Sequence, residues 1–211
     1  MKPRTLFTFC LSMSLLAACS APATQETQAP SATETPVVAT IATIAPTSTL
    51  VPEASPSVME PALPFELIST AFEQGEPIPA KYSCNGEDDS PSLAWGDPPA
   101  GTQSLALIMD DPDAPGGTWD HWTVFNISPE LRELPEGIKA GDLGVTFGEN
   151  SWGRSYYGGP CPPSGTHRYF FKLYALDTTL SLDKIAGKSQ VMTAMKGHIL
   201  AEADLMGTFS H

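Results

Sequence analysis

Three segments of the sequence carry side chains that could bind a ligand or do chemistry. The first follows an apolar stretch directly and reads Asp110-Asp111-Pro112-Asp113-Ala114-Pro115. Proline cannot continue a backbone ladder and fixes its own φ angle, so this segment is expected to present a carboxylate at the end of a strand. That carboxylate could accept hydrogen bonds from a ligand, although Asp-Pro pairs also begin ordinary turns.

The second segment, Asp120-His121-Trp122, places an imidazole at the start of another apolar stretch. Strand alternation predicts that His121, Thr123 and Phe125 share one face, with Trp122 on the other. Histidine changes its charge near neutral pH, which suits it to binding an anion. His121 is therefore either a binding residue or a structural residue at a strand start.

The third segment runs from Gly158 to Tyr169 and reads GGPCPPSGTHRY. Glycines allow the backbone to approach a ligand closely and can point successive amides at an anion. In the strand that follows, His167 and Tyr169 are predicted on one face and Arg168 on the other. Together the three segments offer two imidazoles, a phenol, a carboxylate and backbone amides.

Short strands are the elements that must position these segments. Gly, Pro and Asp separate the apolar stretches, which is typical of a mainly β protein. The predicted strands are Phe65–Ser69, Ser92–Trp95, Ser104–Asp110, His121–Ile127, His167–Leu176 and Leu205–Phe209.

The last third of the chain also predicts two helices. Ser181 is a candidate N-cap for a short helix that ends at Gly187. From Ser189, apolar residues recur at the spacing of an amphipathic helix. These are Val191, Ala194, Met195, Ile199 and Leu200, and His198 beside them is predicted to be a packed or capped core residue.

Composition limits the class of protein. The 211 residues include 24 acidic and 11 basic side chains, which gives a net charge of -13, and 41% of the residues are hydrophobic. That apolar content is sufficient for one core. The acidic balance argues against a nucleic-acid partner, because phosphate backbones require clustered Lys and Arg.

The start of the chain is predicted to direct export. Lys2 and Arg4 precede an apolar run that is too short to span a bilayer, which is the pattern of a secretory signal peptide over residues 1–18. The run ends Leu16-Ala17-Ala18-Cys19 and resembles the bacterial lipobox, in which the cysteine is diacylated. Cys19 is therefore predicted to anchor the protein to the bacterial cell membrane, with the domain outside the cytoplasm.

Residues 19–63 are predicted to form a disordered tether. They are rich in Ala, Thr and Pro and contain no Lys, Arg or aromatic residue. Such a composition cannot bury enough apolar surface to offset the loss of chain entropy. The folded domain is accordingly expected over residues 64–211.

Several motifs, in order along the domain, resemble the phosphatidylethanolamine-binding protein family and its bacterial, Raf kinase inhibitor-like branch. They are Cys84-Asn85-Gly86, Ser90-Pro91-Ser92-Leu93-Ala94-Trp95, Asp111 to Pro115, His121-Trp122, Gly159 to Pro163 with His167-Arg168-Tyr169, and Gly197 to Ala203. The resemblance implies an antiparallel β-sandwich with two peripheral C-terminal helices. It also implies a small anion pocket at one end of the sandwich.

That resemblance also assigns the pocket residues. The side chains are Asp111, His121, His167 and Tyr169, the walls are Pro115 and Gly159, Pro160, Cys161 and Pro162, and Asp113 braces the loop. The implied ligand is a phosphate-bearing small molecule or a phospholipid head group, bound by a non-enzymatic module that could act as a regulator. No cofactor is implied, and the sequence identifies no protein partner.

Two enzymatic alternatives use the same residues. A hydrolase could use Cys161 as nucleophile and His167 as its base, but prolines flank this cysteine and free thiols tend to oxidise after export. A metal site could combine Asp111, His121 and His167, but no helix has the histidine spacing of a metal motif. A sugar platform built on Trp95, Trp119, Trp122 and Trp152 is a further alternative, with core packing the default for Trp95 and Trp122.

Cys84 and Cys161 are the cysteines of the predicted domain. Because the exported compartment allows oxidation, they are predicted to form a disulfide. Two separate thiols remain the alternative, since a sequence does not show whether two Cα atoms lie within bonding reach.

Overall fold

Two antiparallel sheets form the architecture of the computed structural model, which describes residues 63–211. The strands are β1 Leu67–Ile68, β2 Leu93–Trp95, β3 Ser104–Asp111, β4 Trp119–Ile127, β5 Glu133–Leu134, β6 Thr146–Phe147, β7 Thr166–Leu176 and β8 Ile199–Ser210. The larger sheet has the order β6-β4-β3-β7-β8 and the smaller has the order β1-β2-β5. The predicted mainly β, antiparallel fold is confirmed. The predictions for the signal peptide, for Cys19 and for the tether up to residue 62 lie outside the described residues.

The five-stranded sheet is covered on both faces. Its inner face packs on the small sheet through buried side chains that include Leu107, Phe171, Leu93 and Leu134. Its outer face packs on a helix, α1 (Lys188–Met195), and on the segment before that helix. Every residue of the central strand β3 is buried, and its middle part, Leu105–Met109, is a continuous apolar run and not an alternating one.

The C-terminal third of the described chain has one α-helix, so the prediction of two helices is wrong. The segment from Ser181 to Gly187 is a loop with a single turn, closed by a hydrogen bond from Ala186 N to Asp183 O at 2.9 Å. Leu180, which directly precedes this loop, and Ala186 within it are buried against the outer face, and Leu182 packs against the same cluster.

Helix α1 is also shorter than its apolar pattern predicts. It ends at Met195, and Gly197 has a φ of 84°, a left-handed conformation that turns the chain. Ile199 and Leu200 consequently belong to β8. His198 is exposed, with Nδ1 2.7 Å from Asp177 Oδ1, so the prediction that it is a packed or capped core residue is wrong.

Strand β8 begins six residues earlier than predicted and forms one edge of the larger sheet. It pairs with β7 along its whole length. Its other side is partly covered, since Gly75 N donates to Met206 O and Ile78 N donates to Thr208 O, both at 2.7 Å. Within residues 63–211, no helix has the length and apolarity needed to cross a bilayer.

Candidate functional site

The end of β3 and the start of β7 bring a carboxylate and an imidazole together. Asp111 is the last residue of β3, and His167 is the second residue of the neighbouring strand β7. His167 Nδ1 lies 2.7 Å from Asp111 Oδ2, and both side chains are buried. Since a carboxylate oxygen is an acceptor, His167 Nδ1 carries the hydrogen and Nε2 is the nitrogen left for a ligand.

A β-bulge directs His121 toward the same site. The register of β3 and β4 shifts between the Met109–Trp122 and Asp110–Asp120 pairs, which leaves His121 as the extra residue. A bulge breaks strand alternation and re-aims a side chain. The His121 ring therefore packs edge-to-face on Tyr169 with ring centroids 5.2 Å apart. Tyr169 belongs to the same core cluster as Trp122, so the prediction that His121 and Trp122 lie on opposite faces is wrong.

Burial determines the charge of His121. Its Nδ1 lies 2.7 Å from Gly158 O, which can only accept, so Nδ1 carries the hydrogen and Nε2 is free. Trp152 covers the ring edge-to-face, with centroids 5.1 Å apart. Burial lowers the pKa of His121, while the Gly158 carbonyl and the Asp111 charge oppose the shift. His121 is therefore a neutral imidazole near pH 7 in the free protein.

Tyr169 contributes a buried hydroxyl group to the site. The residue is fully buried, and no described atom meets both the distance and the angle of a hydrogen bond to its Oη. The Asp111 carboxylate and the Cys161 backbone nevertheless lie near enough to influence its pKa. Burial raises the pKa of Tyr169, and the negative charge of Asp111 raises it further. The phenol consequently stays protonated and is available as a donor.

The two glycines of the third segment serve packing, contrary to the expectation that their amides face an anion. Gly158 N donates to His121 O at 3.1 Å, and Gly159 N donates to Asp88 Oδ1 at 2.7 Å. A Cβ at position 159 would lie 2.2 Å from Tyr82 O, so only glycine fits there. Both amides are already paired within the protein.

Cys84 and Cys161 form a disulfide that holds the wall of the site. Their Cα atoms are 5.5 Å apart, and Cys84 N also donates to Pro160 O at 3.1 Å. Pro160 and Pro162 are buried, whereas Cys161 is exposed. A cavity of about 170 Å³ adjoins this wall and is lined by the disulfide, Asp88, Trp152, Arg154, Tyr156, Gly158 and Gly159.

Asp113 braces the site from outside. Its two carboxylate oxygens accept from Arg168 Nε at 2.9 Å and Nη2 at 2.7 Å, and Oδ2 also accepts from Arg168 N. This pairing lowers the pKa of Asp113 to about 2. The remaining predicted wall residue, Pro115, is exposed in the turn between β3 and β4.

Sequence reasoning did not identify Trp152 and Asp88 as parts of the site. Trp152 lies in the loop before the glycines, and a Cβ at Gly158 would meet its ring at 2.6 Å. Asn150 fixes this loop, because its Oδ1 accepts from Trp152 N and its Nδ2 donates to Tyr156 O. A long-range aromatic contact of this kind leaves no local sequence signal. The glycine pair was the available hint, since glycine permits the close approach.

The described residues do not support either enzymatic alternative. Cys161 Sγ is bonded to Cys84 and is not a free nucleophile. Within residues 63–211, no group of three or more His, Cys, Asp or Glu side chains is arranged to hold a metal ion. The four tryptophans also do not form one platform, since Trp95 and Trp122 are buried in the core.

The family model for "Phosphatidylethanolamine-binding protein" matches residues 68–210, which is more than half of the chain. The chain belongs to the phosphatidylethanolamine-binding protein (PEBP) family. Among its relatives, a UPF0098 protein of Methanothermobacter thermautotrophicus is 51% identical over 148 residues, covering 69% of this chain and 98% of the relative. A UPF0098 protein of Chlamydia muridarum is 46% identical over 150 residues, covering 69% and 98%.

Solved PEBP structures share the fold. The crystal structure of a PEBP homologue from Chlamydia trachomatis has a TM-score of 0.66 and 45% identity, covering 70% of this chain and 97% of that one. An Escherichia coli protein described as a new member of the mammalian PEBP family has a TM-score of 0.65 and 33% identity, covering 70% and 98%. PEBP membership and the antiparallel fold are thus both established, and membership indicates a ligand-binding module.

Proposed function

We propose that this PEBP domain binds the phosphate of a small phosphoester or of a phospholipid head group. The pocket consists of Asp111, His121, His167 and Tyr169. The observation that supports it most directly is the buried Tyr169 hydroxyl, which makes no hydrogen bond of normal geometry within residues 63–211. Leaving such a group unpaired costs about 1–3 kcal/mol, and an acceptor oxygen on a ligand would recover that cost.

The two imidazoles supply the positive charge in this proposal. Each Nδ1 hydrogen is already committed, to Gly158 O in His121 and to Asp111 Oδ2 in His167. Nε2 must therefore gain a proton before it can donate to an anion. A bound phosphate would stabilise that proton through its negative charge. Because the chain carries a net charge of -13, the pocket must provide this positive charge locally.

A small cavity lies next to the proposed site and is lined in part by Trp152 and Gly158, which both contact His121. The cavity beside the disulfide has a volume of about 170 Å³. This cavity is not lined by Asp111, His121, His167 or Tyr169, so its volume is not that of the proposed phosphate site. The name of the family refers to a lipid with a phosphate-bearing head group.

Binding, and not catalysis, is the proposed activity. A hydrolase would need a nucleophile within reach of a base. Cys161 is in a disulfide, and the Asp111 carboxylate is engaged by His167 and by Asp113 N at 2.8 Å. The pocket therefore lacks a free nucleophile, which favours ligand binding over hydrolysis.

The chain is also proposed to be an exported lipoprotein. The Lys2/Arg4 signal pattern and the Leu16-Ala17-Ala18-Cys19 ending support cleavage before Cys19 and acylation of its thiol. The Cys84–Cys161 disulfide is consistent with a compartment outside the cytoplasm, where such bonds persist. The lipid would then attach the domain to the bacterial membrane through residues 20–63.

Tyr169→Phe tests the binding site directly. It removes a hydroxyl that makes no hydrogen bond of normal geometry with a described residue, so we expect no loss of thermal stability. Affinity for glycerophosphoethanolamine, measured by calorimetry, should fall by about 1.5–3 kcal/mol, the range for a hydrogen bond to a charged group. Tyr174→Phe is the matched control, since Tyr174 lies on the outer face of the same strand. Equal affinity of wild type and Tyr169→Phe would refute the assignment.

A further inference from the structure

Half of the outer edge of β8, called the open edge below, makes no backbone hydrogen bond with any residue that the structure describes. Strand β1 lies near it across a groove. Segment 75–78 covers the C-terminal half, where Met206 and Thr208 direct their carbonyls away from β7 and toward Gly75 N and Ile78 N. Antiparallel strands alternate which residues face which neighbour. The N–H and C=O groups of Glu202 and Asp204 therefore also point outward, where β8 pairs with no described strand.

A groove with an apolar floor runs beside this open edge. It has a volume of about 490 Å³ and lies between β8 and the segment that contains β1. Phe65, Leu67, Phe72, Ala203 and Leu205 supply its apolar lining. These side chains belong to or pack against the inner core, so the floor is part of the rigid sandwich.

The rims of the groove are acidic. Glu66, Glu73, Glu202 and Asp204 are exposed and form no ion pair with any described residue. No Lys or Arg lines the groove. Lys172 lies opposite Asp204 in the strand pair, but its ammonium donates to both oxygens of Asp110 at 2.9 Å. It therefore forms no ion pair with Asp204.

The local negative charge also affects a neighbouring phenol. Burial raises the pKa of Tyr174 to about 12, and the charges of Glu202, Asp110 and Asp204 contribute to the shift. Tyr174 pairs with Glu202 across β7 and β8. The edge thus combines free backbone groups, an apolar floor and uncompensated carboxylates.

We propose that the open edge of β8 binds an extended basic polypeptide segment, which adds to the larger sheet as a sixth strand. The outward N–H and C=O groups of Glu202 and Asp204 would pair with the backbone of the segment, as in β-strand addition elsewhere. Alternate side chains of the segment would be apolar, to fill the groove, and Lys or Arg, to meet the carboxylates on the rims.

A second copy of this chain fits the edge less well. Two β8 edges paired with each other would bring Glu202 and Asp204 of both copies together, and like charges directly opposite are destabilising. The surface is also separate from the phosphate pocket, because Glu202 and Asp204 lie opposite Tyr174 and Lys172, whereas His167 lies opposite Phe209.

The test uses the full chain and three fluorescent heptapeptides with blocked ends, measured by anisotropy. One alternates lysine with valine, one alternates glutamate with valine, and one is the lysine peptide with N-methyl groups on its backbone amides. We expect saturable binding of the first alone. N-methylation keeps the charge and removes the backbone donors, so it separates strand addition from non-specific attraction.

Variants of β8 provide the second arm. Glu202→Lys with Asp204→Lys should weaken binding of the lysine peptide by about tenfold or more. Glu130→Lys with Asp183→Lys, at two exposed positions away from the groove, makes the same change in net charge and should have little effect. Glu202→Pro should weaken binding more than Glu202→Gln, because only proline also removes the outward N–H.

Three results would contradict strand addition of a basic segment at β8. Equal binding of the N-methylated peptide, or equal binding by the Glu202→Lys/Asp204→Lys variant, would overturn it. A concentration-dependent dimer of the full chain that this variant abolishes, measured by sedimentation, would assign the edge to a second copy and would also overturn it. Should Glu202→Pro unfold in thermal denaturation, the N-methylated peptide still tests backbone pairing independently.

Discussion

Among the single residues, His121 is subject to two opposing influences: burial disfavours its charge, and the proposed binding of a phosphate would favour it. Its lowered pKa places the neutral form in the free protein, and a bound anion would reverse that preference. The same burial affects stability. Because the folded pKa lies below the unfolded value of about 6.5, the unliganded domain should lose stability as the pH falls below about 6.5.

We predict that the domain takes up a proton when it binds its ligand. The charge of glycerophosphoethanolamine does not change between pH 6 and pH 8. A higher affinity at pH 6, which we expect, would therefore come from a proton that the protein takes up. Calorimetry at pH 7 in buffers of different ionisation enthalpy should show net uptake, and His121→Ala should reduce it and weaken binding by about 1.5–3 kcal/mol.

His198→Ala is the control for that experiment. His198 is exposed and pairs with Asp177 at 2.7 Å, away from the site, so its removal should leave affinity and proton uptake unchanged. Affinity that is the same at both pH values would contradict a charged imidazole in the complex.

At the scale of elements, the disulfide joins the loop after the 3-10 turn Ala80–Tyr82 to the wall of the site. Its cysteines are 77 residues apart, so the bond should stabilise the domain by about 4 kcal/mol in the chain-entropy model. Cys84→Ser with Cys161→Ser should lower the free energy of unfolding by about that amount in urea titrations. It should also weaken phosphodiester binding, because Pro160 loses its covalent support.

Reductant provides the matched comparison for the disulfide. Treatment with dithiothreitol should destabilise the wild-type domain to the level of the double variant and should not affect the variant further. Two free thiols in the denatured, unreduced domain after oxidising export would show that the bond does not form.

The strands and helices differ in how well the sequence predicts them. Strands such as Ser104–Asp111 and Thr166–Leu176 lie within about one residue of their predicted bounds, because apolar runs between turn residues are local signals. The bulge at His121 and the early start of β8 were not predictable, because both depend on how one strand pairs with another. The helix predicted from Ser181 failed for a similar reason, since its apolar residues cover the sheet as a loop.

For the whole molecule, Cys19 is predicted to attach the chain to the membrane, and no helix within residues 63–211 is long and apolar enough to cross one. Cys19→Ala should leave an unprocessed precursor or a form released from the membrane fraction. Membrane fractionation with mass measurement of the N-terminus checks this. Normal cleavage at the same bond with retention in the membrane would refute the lipoprotein assignment.

The separation of Cys84 from Cys161 also has a consequence for synthesis and export. A chain that emerges from its N-terminus exposes Asp111 and His121 first, and Cys161, His167 and Tyr169 only much later. The wall can therefore close only when more than three-quarters of the chain has emerged, immediately before the last two pocket side chains follow. A nascent chain that ends before Cys161 therefore lacks the disulfide and two of the four pocket side chains, and the proposed ligand binding would become possible only late in synthesis.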